Sequence, residues 1–287
     1  MLITMIGVIA ALGLFFLLIM LIDCNRFVIK EYEITSAKLK KDETLVMISD
    51  LHSKSFGKQN EKLKAAVEKI APDKILMAGD IYTAAKSENG KVAEDLVCSL
   101  AKKYPVYYGN GNHEHAMRIH ADVFGELYEE YAQVIKLAGV RYLVNEKAEI
   151  PESNMSIYGA EIARPYFAKL KRTPMEETYL GELLGRPEKD RFNILIAHNP
   201  DYFENYAAWG ADLVVSGHVH GGLMKLPFVG GVISPSLRLF PHYDGGRFEK
   251  DGCVMILGRG MGCHTLPIRI FNPGELVVIR CRAAAEE

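Results

Sequence analysis

Beyond residue 43 the chain alternates short apolar runs with segments of helical period, and five of the apolar runs end in Asp, His or Asn. Residues 44–48 are too short for a helix and rich in branched side chains, which predicts a buried strand. The same pattern recurs at 74–78, 105–108, 192–197 and 212–216. Helical spacing of apolar residues predicts helices over 59–70, 92–104 and 121–137, with another between the last two of those strands. Shorter β-like stretches follow at 140–144, 148–150 and 155–158, and two more near the end at 253–257 and 275–281. Strands alternating with helices predict an α/β fold.

The residues that follow these strands carry the chemistry. Asp50 and His52 come after the first and Gly79-Asp80 after the second. Gly111-Asn112-His113-Glu114 comes after the third, His198 after the fourth, and Gly217-His218-Val219-His220 after the fifth. Open α/β sheets bind ligands beyond the carboxyl ends of their strands, so five such ends build one shared site. Residues two apart in extended chain point the same way, which pairs Asp50 with His52 and His218 with His220. A single D-x-H or Gly-Asp is more often structural than catalytic; all of them together, in this order, are not explained that way. Carboxylate, imidazole and amide donors without thiolate suit Mn, Fe or Zn and disfavour a structural zinc site. The donors are too many for one catalytic ion and suitable for two, which need a shared carboxylate between them. The remaining histidines, His115, His120, His242 and His264, read as surface or supporting residues. Five scattered cysteines form no C-x-x-C pair, so no disulfide scaffold is indicated.

The start of the chain is a different material. Residues 2–22 are apolar without a single charge, and about 20 residues at roughly 1.5 Å each cross a bilayer. The run exceeds the apolar region of a signal peptide, lacks its charged leading segment and is followed by no A-x-A-like cleavage site, which predicts an uncleaved single-pass anchor in the cell membrane, the alternative being a signal peptide with unusual flanks. Arg26, Lys30, Lys38, Lys40 and Lys41 follow the run and no Lys or Arg precedes it, which favours a cytoplasmic domain. Residues 23–43 read as a connecting segment with some strand character at 26–34. Residues 161–191 have several breakers and no clear period. They read as a surface excursion or lid in which Arg164, Tyr166, Lys169, Lys171 and Arg172 either meet substrate or stay solvated. The 34 basic and 36 acidic residues leave a formal charge of −2, which argues against a nucleic-acid binder held by a basic field.

From about residue 45 to residue 280 this series of motifs resembles the calcineurin-like metallophosphoesterase superfamily. It is most similar to the bacterial membrane-associated phosphodiesterase branch, with Gly221-Gly222 after the last motif, a glycine-rich stretch at 258–262 and Pro267-Ile-Arg269. The resemblance implies a four-layer α/β/β/α sandwich over 44–282 with the site at its strand ends. It implies one ion held by Asp50, His52, Asp80 and His220, and a second held by Asp80, Asn112, His198 and His218. His113 would bind no metal and would contact the phosphate. Two departures stand out. Many members carry a second acid, in G-D-x-x-D, that orients the catalytic histidine; Thr83 stands there, so that support is absent or comes from elsewhere, Glu114 being the nearest acid. The common G-N-H-D is G-N-H-E here. The implied activity is binuclear-metal hydrolysis of a phosphodiester or pyrophosphate in a small-molecule or lipid-linked, membrane-proximal substrate. The alternatives are a non-catalytic metal-binding scaffold and a nuclease. Many relatives in this branch work outside the cytoplasm, which opposes the lysine and arginine count and leaves the side of the domain open. Arg269 is as suited to buttress the fold as to touch phosphate.

Overall fold

The apolar run folds as α1 (Leu2–Cys24), the helix long and apolar enough to cross a membrane in this computed structural model, which describes residues 1–83, 90–168, 172–226, 230–232, 239–263 and 267–284. After it come β1 (Phe27–Ser36), β2 (Glu43–Ile48), α2 (Glu61–Ile70), β3 (Lys74–Ala78), α3 (Gly90–Ala101) and β4 (Val106–Gly109). Next are α4 (Asn112–Ile119), α5 (Ala121–Phe124), α6 (Leu127–Leu137), β5 (Arg141–Leu143), β6 (Glu146–Ile150) and β7 (Met155–Ala160). The rest comprises α7 (Tyr179–Leu184), β8 (Phe192–Ala197), α8 (Phe203–Trp209), β9 (Leu213–Ser216), β10 (Lys225–Leu226) and β11 (Gly230–Gly231), then β12 (Gly246–Lys250), β13 (Cys253–Leu257) and β14 (Gly274–Ala283).

One six-stranded sheet has the order β1-β14-β2-β3-β4-β5 and the other β12-β13-β9-β8-β7-β6. Leu45, Met47 and Leu76 of the first face Ile157, Ile194, Ile196 and Val215 of the second in one apolar layer. The alternate residues point outward: Val46, Ile48, Ile75 and Met77 meet α2, α3 and α6, while Leu195, Val214 and Met255 meet α7 and α8. The result is the α/β/β/α sandwich implied by the motifs. Strands covered on both faces must be apolar at every position, which is why they read as continuous runs. Each buried Leu or Ile contributes about 1.5–3 kcal/mol.

Three stretches differ from expectation. The 23–43 segment is not a mere connection: β1 pairs along its full length with β14, from Phe27 opposite Gly274 to Ser36 opposite Ala283. The helix expected over 121–137 breaks at Gly125, whose φ of 64° ends α5. The 161–191 stretch is anchored by a few apolar residues while Arg164 and Arg172 stay exposed. Met175 and Leu180 are buried in the outer core of the second sheet, with Tyr166 and Phe167 against it, and the Arg172 guanidinium lies 4.8 Å from the Tyr202 ring. Lys169 and Lys171 of that stretch, and His264, lie outside the described residues.

The topology also fixes where the anchor arrives. β1 is parallel to β14, and β14 is antiparallel to β2, with Val277 opposite Met47. The first residues of β1 and β14 therefore lie at the carboxyl end of β2, the edge that bears Asp50. α1 joins the body at that edge.

Candidate metal centre

Both sheets deliver donors to this edge. β2 leads to Asp50 and His52, β3 to Asp80, and β4 to Asn112 and His113 at the start of α4; β8 leads to His198 and β9 to His218 and His220. The Nε2 atoms of His52 and His220 face each other at 3.1 Å. His220 Nε2 is 3.3 Å from Asp50 Oδ1, and His198 Nε2 is 3.1 Å from Asp80 Oδ2. Donor atoms of Asp50, His52 and His220 all lie within 4.8 Å of one another, as do those of Asp80, His198 and His218. The two groups hold imidazoles and carboxylates of both expected sets, but Asp80 is absent from the first, and His198 Nε2 also lies 3.7 Å from Asp50 Oδ1 of the other set. His113 adds a third cluster with His52 and Asp80. Its backbone N–H donates to Asp80 Oδ1 at 2.8 Å, which ties the start of α4 to the loop after β3.

The backbone here is strained. Asp50, His52, Asp80, His218 and His220 all have φ between 47° and 74°. For a residue with a Cβ this conformation costs on the order of 1–2 kcal/mol, and such residues cluster where geometry serves function. Close approach of the loops depends on glycine. A Cβ on Gly111 would collide with the Asp80 carboxylate and amide, and one on Gly79 (φ 82°) would meet the Gly111 backbone at 2.6 Å.

The donor atoms fit divalent ions. Asp50 Oδ2 and Asn112 Oδ1 are buried without a hydrogen-bond partner, a state that costs about 1–3 kcal/mol per group unless a cation takes it up. His198 Nδ1 sits 2.7 Å from the Ala78 carbonyl, which can only accept, so Nδ1 carries the proton and Nε2 is left to bind. Burial pushes the Asp50 carboxyl up to about 6, with His198 opposing and Asp80 adding to the rise. Burial also works against the ionised Asp80, but His198 and His113 hold it well below the usual carboxylate range. Burial disfavours a charged His198, yet Asp80 and Asp50 outweigh it and push the imidazole up to about 10. The edge demands positive charge, and proton and metal ion compete for it.

Three residues support the site, two of them named by the sequence and one not. Glu114 braces the loop backbone. Its buried carboxylate accepts the N–H of Asp80 and of Gly111, each at 2.9 Å, on one oxygen, and the N–H of Tyr82 and the hydroxyl of Tyr108 on the other. Arg269 buttresses the fold: its guanidinium donates to the carbonyls of Arg259, Gly260, Gly262 and Asn272. Asn272 had no signal at all. Its side chain donates to the carbonyls of His220 and Gly222, both at 2.7 Å, while its own N–H donates to Asp23 Oδ2 in the last turn of α1. A cavity of about 710 Å³ opens beside Asn112 and His113, lined by His115, His120, Phe124, Arg164 and Phe167. The Phe167 ring also lies 5.4 Å from that of His218. His115 is thus buried at the cavity wall rather than on the surface.

The calcineurin-like phosphoesterase family profile matches residues 44–222, more than half of the chain. The chain belongs to the calcineurin-like phosphoesterase family. This phosphoesterase is 24% identical to the UDP-2,3-diacylglucosamine pyrophosphatase LpxG of Chlamydia muridarum, over 83% of each protein. It is 26% identical to the phosphodiesterase YaeI of Escherichia coli, over 67% of this chain and 65% of that one. A metallophosphoesterase of Aquifex aeolicus is 27% identical over 88% of this chain and 90% of its own. The protein is a metal-dependent hydrolase of phosphoric esters.

Proposed function

We propose that this phosphoesterase holds two divalent ions, Mn, Zn or Fe, and cleaves a phosphodiester or pyrophosphate in a lipid-linked substrate at the bilayer surface. Asp50, His52, Asp80 and His220 hold one ion; Asp80, Asn112, His198 and His218 hold the other, with Asp80 shared. Bound there, the ions supply Lewis-acid stabilisation of phosphoryl oxygen and a water acidified toward neutral pH. His113 faces the substrate and donates to a phosphoryl or leaving oxygen, where a positioned donor contributes most as charge develops. The cavity beside it receives the rest of the ester, with Arg164 against charge and Phe124 and Phe167 against apolar parts.

The observation that carries the substrate class is the entry of α1 at the metal-bearing edge, bolted through Asp23 and Asn272 to the His220 loop. The pyrophosphatase named above, whose substrate by its name joins a nucleotide to a diacylated sugar, agrees with that placement. The test uses the full chain in lipid vesicles, with a lipid-linked pyrophosphate and soluble bis-p-nitrophenyl phosphate as competing substrates. A higher kcat/KM for the lipid is expected; equal values would remove the lipid reading and leave the phosphoesterase.

A further inference from the structure

A second apolar element sits beside the anchor. Only one stripe of α1 is covered: Phe16, Ile19 and Met20 are partly buried and Asp23 fully, at the i, i+3, i+4, i+7 spacing of a helix face. Phe271 packs beside that stripe, its ring centroid 6.5 Å from Phe15 and 6.4 Å from Phe16. A hydrocarbon core about 30 Å thick takes up roughly 20 residues of helix at about 1.5 Å each. Nearly all of α1 is needed to span it, which puts Phe15 and Phe16 about 7–10 Å inside the edge. Phe271 cannot touch them from the aqueous side.

Phe271 does not stand alone. Ile270 exchanges backbone hydrogen bonds with Leu223 and Lys225, Val232 donates to Met224, and Phe240 donates to Val232. This ladder runs outward from the anchor in steps of about 4.8 Å. At its far side Leu239 and Phe240 are 65% and 61% exposed, two large apolar side chains in succession. Arg26 at the end of α1 is half exposed and paired with Asp23 at 2.8 Å.

We propose that this ladder is a second membrane contact: Phe271 enters the acyl region beside α1, and Leu239 and Phe240 rest on the lipid surface. The inference rests on α1 spanning the bilayer. Its consequence is orientation, since Asn272 binds the His220 and Gly222 carbonyls and so holds the metal loop against the headgroups. A single anchor would let the body swing; two contacts hold it.

The experiment places the full chain in phosphatidylcholine vesicles containing a mixture of lipids brominated near the headgroup end and near the middle of their chains. Emission is compared for the unmodified chain, Phe240→Trp, Leu239→Trp and Leu14→Trp. The native Trp209, at the end of α8 away from the metal edge, gives the background. Loss of most of the added emission in Phe240→Trp or Leu239→Trp, with Trp209 unaffected, is the expected result. Quenching of Leu14→Trp alone would overturn the second contact and leave the anchor in place. No quenching at position 14 either would overturn both, and would identify the anchor as the cause.

Discussion

The seam between the two sheets has a polar cluster at each end, and the two differ in how their buried carboxylates are met. At the end away from the metal loops, Glu43 is buried with every partner in place: Lys74 Nζ at 2.7 Å, the Ser153 hydroxyl and Lys41. Close by in the fold, Lys38 meets Asp212 at 2.7 Å, and Asp212 also accepts the Asn193 N–H. At the metal end, buried oxygens of Asp50 and Asn112 have no hydrogen-bond partner, carboxylates and imidazoles crowd together, and five residues hold left-handed backbone. Burial with satisfied partners marks a cluster that holds the fold. Burial with unsatisfied donors on strained backbone marks one shaped for a guest.

Substitutions at the two ends break this comparison if it is wrong. The largest effect is expected from Asp80→Ala, which removes the carboxylate shared by both donor sets: hydrolysis of bis-p-nitrophenyl phosphate falls by about 10³-fold or more. His113→Ala comes next, with a loss of about 10²–10⁴-fold in kcat but unchanged metal content, since its role is toward substrate. Metal analysis beside the kinetics separates the two. At the far end, Glu43→Gln leaves kcat alone and costs about 3–5 kcal/mol in urea unfolding, because Lys74 is left buried without its anion. The pH dependence follows in sign. Burial resists ionisation of Glu43, but the bonds from Lys74 and Ser153 prevail and hold its carboxyl below the usual 4.5. A folded value below the unfolded one gives stability that is present above about pH 4.5 and lost as pH falls through the folded value. Glu43→Gln therefore flattens the acid limb of the stability curve below that pH. Smallest is Glu114→Gln, about 10–100-fold in activity, since the amide cannot accept all four of the bonds that shape the loops after β3 and β4.

How much of this was legible in the sequence follows from what leaves a local trace. Buried strands show as apolar runs, and donors placed right after them show as motifs; Asp50, His52, Asp80, Asn112, His113, His198, His218 and His220 were all visible. β1 was less so because it is an edge strand with Lys30, Glu31 and Glu33 toward solvent, which looks like a polar connection. The 161–191 stretch hides its packing because Met175 stands alone and the helical spacing of Leu180, Leu183 and Leu184 spans less than two turns. Glu114 was legible as an acid but not in its role, since all of its bonds but the one to Gly111 reach other segments. Asn272 joins α1 to the His220 loop across 249 and 52 residues of sequence, and a single polar residue before a proline announces nothing of the kind.

The most direct measurement is metal content per chain after stripping with chelator and reloading with Mn, made on the unmodified protein and on Asp80→Ala. Two ions per chain are expected in the first, with hydrolysis restored, and at most one in the second, with hydrolysis lost. One ion or none in the unmodified protein, or full activity in metal-loaded Asp80→Ala, would contradict a binuclear centre built on a shared Asp80.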